Sequence, residues 1–174
     1  MKKFSIVAHS ANHFFRIAEF LNKKNALSKI ISIYPNFKLK NYKLSKDKIK
    51  FLIIPFIIFC LKRFLKIKFS NIFFSNIFNL YAKNYIDVRK ENFLIGSSGY
   101  CLNIINLAKK RNIKTIVDRA CPHINFQKEI ILSEIDKLPI KNSKEIKLKY
   151  FDEKIVDQML MEYEKCDLIS VPST

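Results

Sequence analysis

The stretch that most restricts what this chain can fold into is 92–120, "NFLIGSSGYCLNIINLAKKRNIKTIVDRA". "FLIG" is an apolar run of strand length, and Ser97, Ser98 and Gly99 break it. Tyr100 to Arg111 then brings Leu102, Ile105 and Leu107 to one side at helical spacing, and "IKTIVD", 113–118, is strand again. Strand, helix and strand in immediate succession make a βαβ unit. The helix carries the chain back to the edge it left, so the two strands run parallel and the crossover is right-handed. Parallel strands are buried on both faces, which calls for helices on each side of the sheet.

The same alternation runs through the rest of the chain. "FSIVAH", 4–9, reads as a central strand. Asn12 to Lys24 reads as a helix with Phe14, Ile17, Ala18 and Leu21 on one face and Asn12 or Ser10 as its cap. "ALSKIISIYP", 26–35, is a second strand, ended by Pro35 and followed by a basic loop through Lys50. Between 51 and 90 the Phe and Ile content fits either period. The reading is mostly helical, with Pro55 at the start or kink of one helix and "NIFNLYAKNYIDVRK" as a second. A helix after Pro122, a loop at "LPIKNSK", a helix from about Phe151 to Cys166 and a strand "DLISV", 167–171, complete the pattern. The expectation is an α/β fold: one Rossmann-like domain over 1–174, a parallel sheet with helices on both faces.

Length and an apolar content of 49% in 174 residues allow one substantial core. The net charge of +17 is almost all lysine, with arginine only at Arg16, Arg63, Arg89, Arg111 and Arg119. Lysine is a point charge without arginine's planar fork. The excess therefore makes a diffuse positive field, which the codon bias of an AT-rich genome would also produce, and no nucleic-acid reader motif accompanies it. Cys60, Cys101, Cys121 and Cys166 are far apart, form no CxxC pair and follow no signal peptide. This points to a reduced, cytoplasmic setting without zinc. In "FLIIPFIIFCLKRFLKIKF", 51–69, the uncharged run is too short to span a bilayer. The basic cluster after it, interleaved with Phe64, Leu65, Ile67 and Phe69, suits either a solvated helix end or an anionic membrane surface.

Sheets of this kind bind ligands at the carboxyl ends of their strands. The residues placed there are His9, Ser10, Asn12 and His13 after the first strand, Gly96 to Gly99 after "FLI", Asp118 to His123 after "KTIV", and Pro172 to Thr174 after the last. "GSSGY" holds the protein's only two glycines, in a turn whose free N–H groups suit an oxyanion or a sugar hydroxyl, or in a turn that is simply tight. It is neither GxGxxG nor a P-loop, so no cofactor is expected. Ser98 is no hydrolase nucleophile: GxSxG needs one more residue between the glycines, and a triad with His123 and Asp118 has the wrong chain order. His9 and His13 lie four apart but straddle a strand end and a helix start. Hydrogen bonding to a ligand suits them better than metal. Glu145 and Glu153 match the E-x7-E spacing of retaining nucleotide-sugar transferases, but "KEIKLKYFDEK" lacks the Gly/Pro loop that those enzymes carry.

"FLIGSSGYCLNIINLAKKRNIKTIVDRACPHI" and "FDEKIVDQMLMEYEKCDLISVPST" together resemble the amino-terminal half of family 4 glycosyltransferases of the GT-B fold. In such relatives one strand ends in a Ser-Gly-Tyr-like turn and the next in an acid-Arg-small-x-x-His-Ile segment. A helix with "EYE…D" then leads to a strand closing in "VPS". The resemblance is good over 92–174, fair over 1–35 and poor between 36 and 90. It implies retaining transfer of a sugar from a nucleotide-sugar, a substrate and not a cofactor, to a glycan or lipid-linked acceptor in envelope or polysaccharide assembly. On that likeness the domain is the acceptor side, reaching the hinge at "VPST", and a second domain holds the donor's diphosphate. Arg119 and His123 then face the donor sugar, and Asp118 orients Arg119 or binds an acceptor hydroxyl. Ser97, Ser98, Gly99 and Tyr100, with His9, Ser10, Asn12 and His13, shape the acceptor wall. The first loop, "AHSANHF", departs from the family in lacking its glycine. The implied setting is cytoplasmic, peripheral at the inner face of the membrane. The alternative of another class is a non-catalytic basic protein that binds a membrane surface or another partner.

Overall fold

Among the described residues six short apolar runs become strands: β1 (Phe4–Ala8), β2 (Leu27–Ser32), β3 (Ile49–Phe51), β4 (Phe93–Ser97), β5 (Lys114–Asp118) and β6 (Leu168–Ser170). All are parallel, in one sheet of order β3-β2-β1-β4-β5-β6. Among the described residues the α-helices are α1 (Phe14–Lys23), α2 (Ile53–Phe64), α3 (Asn71–Ala82), α4 (Leu102–Lys109), α5 (Ile124–Lys137) and α6 (Glu153–Lys165). The fold is α/β and Rossmann-like. The structure is a computed structural model that describes residues 2–9, 13–65, 70–87, 91–137 and 152–171.

The period-two alternation of the strands divides the core between the two faces. On one face Ile6 lies in register with Ile30 and Ile95, and Ile30 with Ile49; Phe14, Phe15, Ala18 and Leu21 of α1 cover this row. On the other face Val7, Ile31 and Leu94 meet Phe74 and Phe78 of α3 and Ile104 and Ala108 of α4, with α2 packed at the margin through Phe56, Ile58 and Phe59. Each wholly buried Phe or Ile contributes about 2 kcal/mol from area alone, so these rows specify the register. α6 lies against α4 and β5 through Tyr163 and Cys166, and α5 stacks on α6 through Ile124 and Val156.

Several expectations shift in detail. The stretch expected as a basic loop through Lys50 ends in β3, which starts at Ile49 and runs to Phe51 and whose three residues are too few to show alternation. The middle third is helical, but its second helix starts at Asn71, where Ser70 Oγ accepts the N–H of Phe73; that cap precedes the stretch in which the helix was expected. Pro55 sits in the first turn of α2, where its missing N–H has no intrahelical partner to lose. The inward face of α4 is Ile104, Ile105 and Ala108, while Leu102 and Leu107 are half-buried. α1 begins at Phe14, and Ser10 and Asn12, expected as caps, fall outside the described residues, as does "LPIKNSK". The sheet ends at β6, which leaves Leu168, Ile169 and Val171 exposed.

Candidate functional site

In a sheet of this order the chain leaves β1 toward one side and β4 toward the other, so a crevice opens between their carboxyl ends. His9 follows β1 there. Its ring stacks on Tyr100 at 3.9 Å between centroids and 19° between planes, and Phe74 and Phe78 meet Tyr100 edge-on. Among the described residues His9 Nδ1 is buried without a hydrogen-bond partner. Burial lowers the pKa of His9 to about 4, so the imidazole is neutral at physiological pH. A neutral imidazole has one donor and one acceptor nitrogen, which suits a hydroxyl.

The turn after β4 is built by close approach. A Cβ on Gly96 would lie 2.6 Å from Cys101 Cβ, and Gly99 has a φ of 83°, the left-handed region that glycine enters without strain. The turn's amides are not free. Glu162, wholly buried on α6, takes the N–H of Gly99 at 2.6 Å on one carboxylate oxygen and those of Cys101 at 2.9 Å and Leu102 at 3.0 Å on the other. Gln158, one turn earlier on the same helix, donates to the Gly99 carbonyl, Ser75 Oγ and Glu162. Burial raises the pKa of Glu162, against the opposing pull of these N–H groups. The anion position at the start of α4 is thus filled by the protein's own carboxylate, which overturns the reading of this turn as an open oxyanion cradle.

β5 brings the next group. Asp118 Oδ2 lies 2.7 Å from His13 Nε2, across the gap between β5 and the start of α1. Asp118 therefore holds His13, whereas the Arg119 guanidinium points elsewhere. Its Nε donates to the Pro122 carbonyl at 3.1 Å, and its other nitrogens meet Gln127 Oε1 and Met159 Sδ. Arg119 thereby fastens the loop 119–123 to α5 and α6. His123 is exposed, with its ring 5.3 Å from that of Tyr163, whose hydroxyl is 3.1 Å from Ser98 Oγ. The Ser98 N–H donates to the Asp118 carbonyl, and Ser97 is the register partner of Asp118.

Most of the anticipated residues accordingly gather on one edge as two linked groups: His9 with Tyr100, and His13, Asp118, Ser97, Ser98 and His123 bridged by Tyr163. Ser10, Asn12 and 172–174 lie outside the described residues. Sequence reasoning passed over Glu162, Gln158 and Tyr163, although Glu162 and Tyr163 belong to "EYE". The available signal was an acid and an amide four apart on the apolar stripe of α6, a placement that demands buried partners. Among the described residues no three His, Cys, Asp or Glu side chains come together as a metal site. A groove of about 540 Å³ between α3 and α4, lined by Phe73, Asn76, Leu80, Asn103 and Lys110 among others, includes none of the strand-end residues. No helix among the described residues is long and apolar enough to cross a membrane. Set against protein-family models, curated proteins and solved structures, the chain matches none of them.

Proposed function

We propose that this domain is the acceptor-side, amino-terminal half of a GT-B glycosyltransferase. On this reading it works at the cytoplasmic side and takes part in retaining transfer of a sugar from a nucleotide-sugar to a glycan or lipid-linked acceptor of an envelope or surface polysaccharide. The observation that carries the proposal is the chemistry of the β1–β4 crevice. Imidazoles, hydroxyls and a carboxylate line it, while Glu162 occupies the amides that would cradle a phosphate. Such an edge favours neutral, hydroxyl-rich ligands over a diphosphate.

In this reading His9 stays neutral and offers a nitrogen to an acceptor hydroxyl, and Tyr100 supplies the flat surface behind it. Asp118 fixes His13; when His13 Nε2–H donates to the carboxylate, Nδ1 is left to accept a hydroxyl proton. His123, anchored by the loop that Arg119 braces, projects from the edge toward a donor sugar held by a second Rossmann-like domain. Leaving-group charge would be met by that domain, since no open N–H nest remains at the start of α4.

The test is a nuclear magnetic resonance titration of the chain. An oligosaccharide acceptor should shift the signals of His9, Ser98 and Asp118, and nucleoside diphosphates should leave Gly99 to Leu102 unmoved. Tight nucleoside diphosphate binding at Gly99 to Leu102 would refute the assignment of this half to the acceptor.

A further inference from the structure

Among the described residues α2 buries one face and leaves the other without a partner. Pro55 is buried, and Phe56, Ile58 and Phe59 pack on the core, while Ile53, Ile54, Ile57, Leu61, Phe64 and Leu65 are exposed. At 3.6 residues per turn the exposed positions fall on a single stripe about a third of the circumference wide. The exposure is large: 59% at Ile53, 76% at Phe64 and 62% at Leu65. An apolar stripe of this size on a water-soluble surface marks a place where something else docks.

The charge around it selects the occupant. Arg63 is exposed at the carboxyl end of the stripe, and Lys62 reaches Asn71 beside it. The sequence continues through Lys66 and Lys68, and between Asp47 and Asp87 there is no acidic residue at all. A second copy of this chain, itself carrying a net charge of +17, would set like charge against like. A protein partner would have to offer an acidic rim around an apolar groove. An anionic bilayer supplies both at once, since acyl chains take the apolar stripe and headgroup phosphates take Arg63. Twelve residues of α2 extend about 18 Å along the axis, too short to span, so the helix lies in the interface plane.

We infer that α2 is an in-plane membrane anchor, which seats this domain on anionic lipid through Ile53, Ile57, Leu61 and Phe64 with Arg63 at the headgroup level. This inference stands apart from the sugar-transfer reading, because it uses none of the crevice residues and holds whether or not the domain serves a transferase.

The protein contains no tryptophan, so Phe64→Trp places a single fluorescent reporter on the stripe. The full chain is mixed with vesicles of phosphatidylglycerol and phosphatidylcholine, and separately with phosphatidylcholine alone. The expected results are co-sedimentation with the anionic vesicles, a blue shift of the indole emission of Phe64→Trp on them, and weakening by salt. Ile57→Asp and Arg63→Glu, both at exposed positions and checked for unchanged circular dichroism, should each lower the partition coefficient by roughly tenfold. Three outcomes overturn the inference. The first is no binding to anionic vesicles. The second is binding without a shift of the reporter's emission, which would assign attachment to the diffuse lysine field. The third is self-association in the absence of lipid that Ile57→Asp abolishes, which would show that a second copy covers the stripe.

Discussion

Glu162 lies across the amino end of α4 and accepts the Gly99 N–H at 2.6 Å, while its second oxygen takes the N–H groups of Cys101 and Leu102. A side chain sixty residues downstream in the sequence thus satisfies donors that the helix itself cannot. The bond ties α6 to the turn after β4, and it decides which ligands that turn can hold.

Glu162→Ala should destabilise the domain by about 3 kcal/mol, because the N–H groups of Gly99, Cys101 and Leu102 lose their acceptor together. The urea midpoint measures it. The emptied position should also accept a small anion, so phosphate should raise the melting temperature of Glu162→Ala more than that of the wild type. Equal phosphate responses would show that the amides are closed by something besides Glu162.

His9 makes stability pH-dependent in a defined direction. Its imidazole takes a proton near 6.5 in the unfolded chain but only near 4 when folded, so the unfolded state binds more protons between those values. Stability should therefore fall as pH drops from about 6.5 toward 4, by up to about 3 kcal/mol, and level off below. His9→Phe keeps a ring against Tyr100 and should flatten this slope. Denaturant midpoints at pH 7 and pH 5 for the two proteins give the comparison, and identical slopes would remove His9 as the cause.

Gly96→Ala should cost about 2 kcal/mol, since the new methyl meets Cys101 Cβ at 2.6 Å and Sγ at 2.8 Å at the rigid start of α4. Gly99→Ala should cost about 1 kcal/mol from its backbone conformation, because the atom in the way is the mobile end of Met159. Thermal melting should rank the two in that order.

For the transfer reading, the relevant polypeptide carries these residues together with a second Rossmann-like domain. His123→Ala should lower transfer by about 100-fold without altering circular dichroism, as expected when an exposed general acid–base or positioning group is lost. Asp118→Asn should act through His13 and raise the KM for acceptor more than it lowers kcat. Full activity of His123→Ala would take His123 out of the site.

The order of strands and helices was legible because parallel strands are apolar throughout and each is bounded by a turn or cap that can be read locally. β3 escaped because three residues beside several lysines carry no period, and the register of α3 escaped because Phe and Ile occur on all its faces. At the crevice, Asp118 and His13 were legible as strand-end residues but not as a pair. Their contact joins positions 105 apart and depends on how α1 is seated. Glu162 was hidden for a related reason: an acid on a helix usually marks the solvent face, and only the packing of α6 on α4 turns it inward.

The pairing of β1 with β4 has a consequence for how the molecule assembles. Phe4 and Phe93 are stacked ring on ring at 4.7 Å, yet just over half the chain separates them, so β1 must wait for that loop to close before its second edge is covered. β1 to β3 and β4 to β6 can each gather from nearer neighbours beforehand, and neither group alone contains both His9 and Tyr100. The crevice therefore exists only where the two halves are docked, and neither half by itself can form the His9–Tyr100 stack.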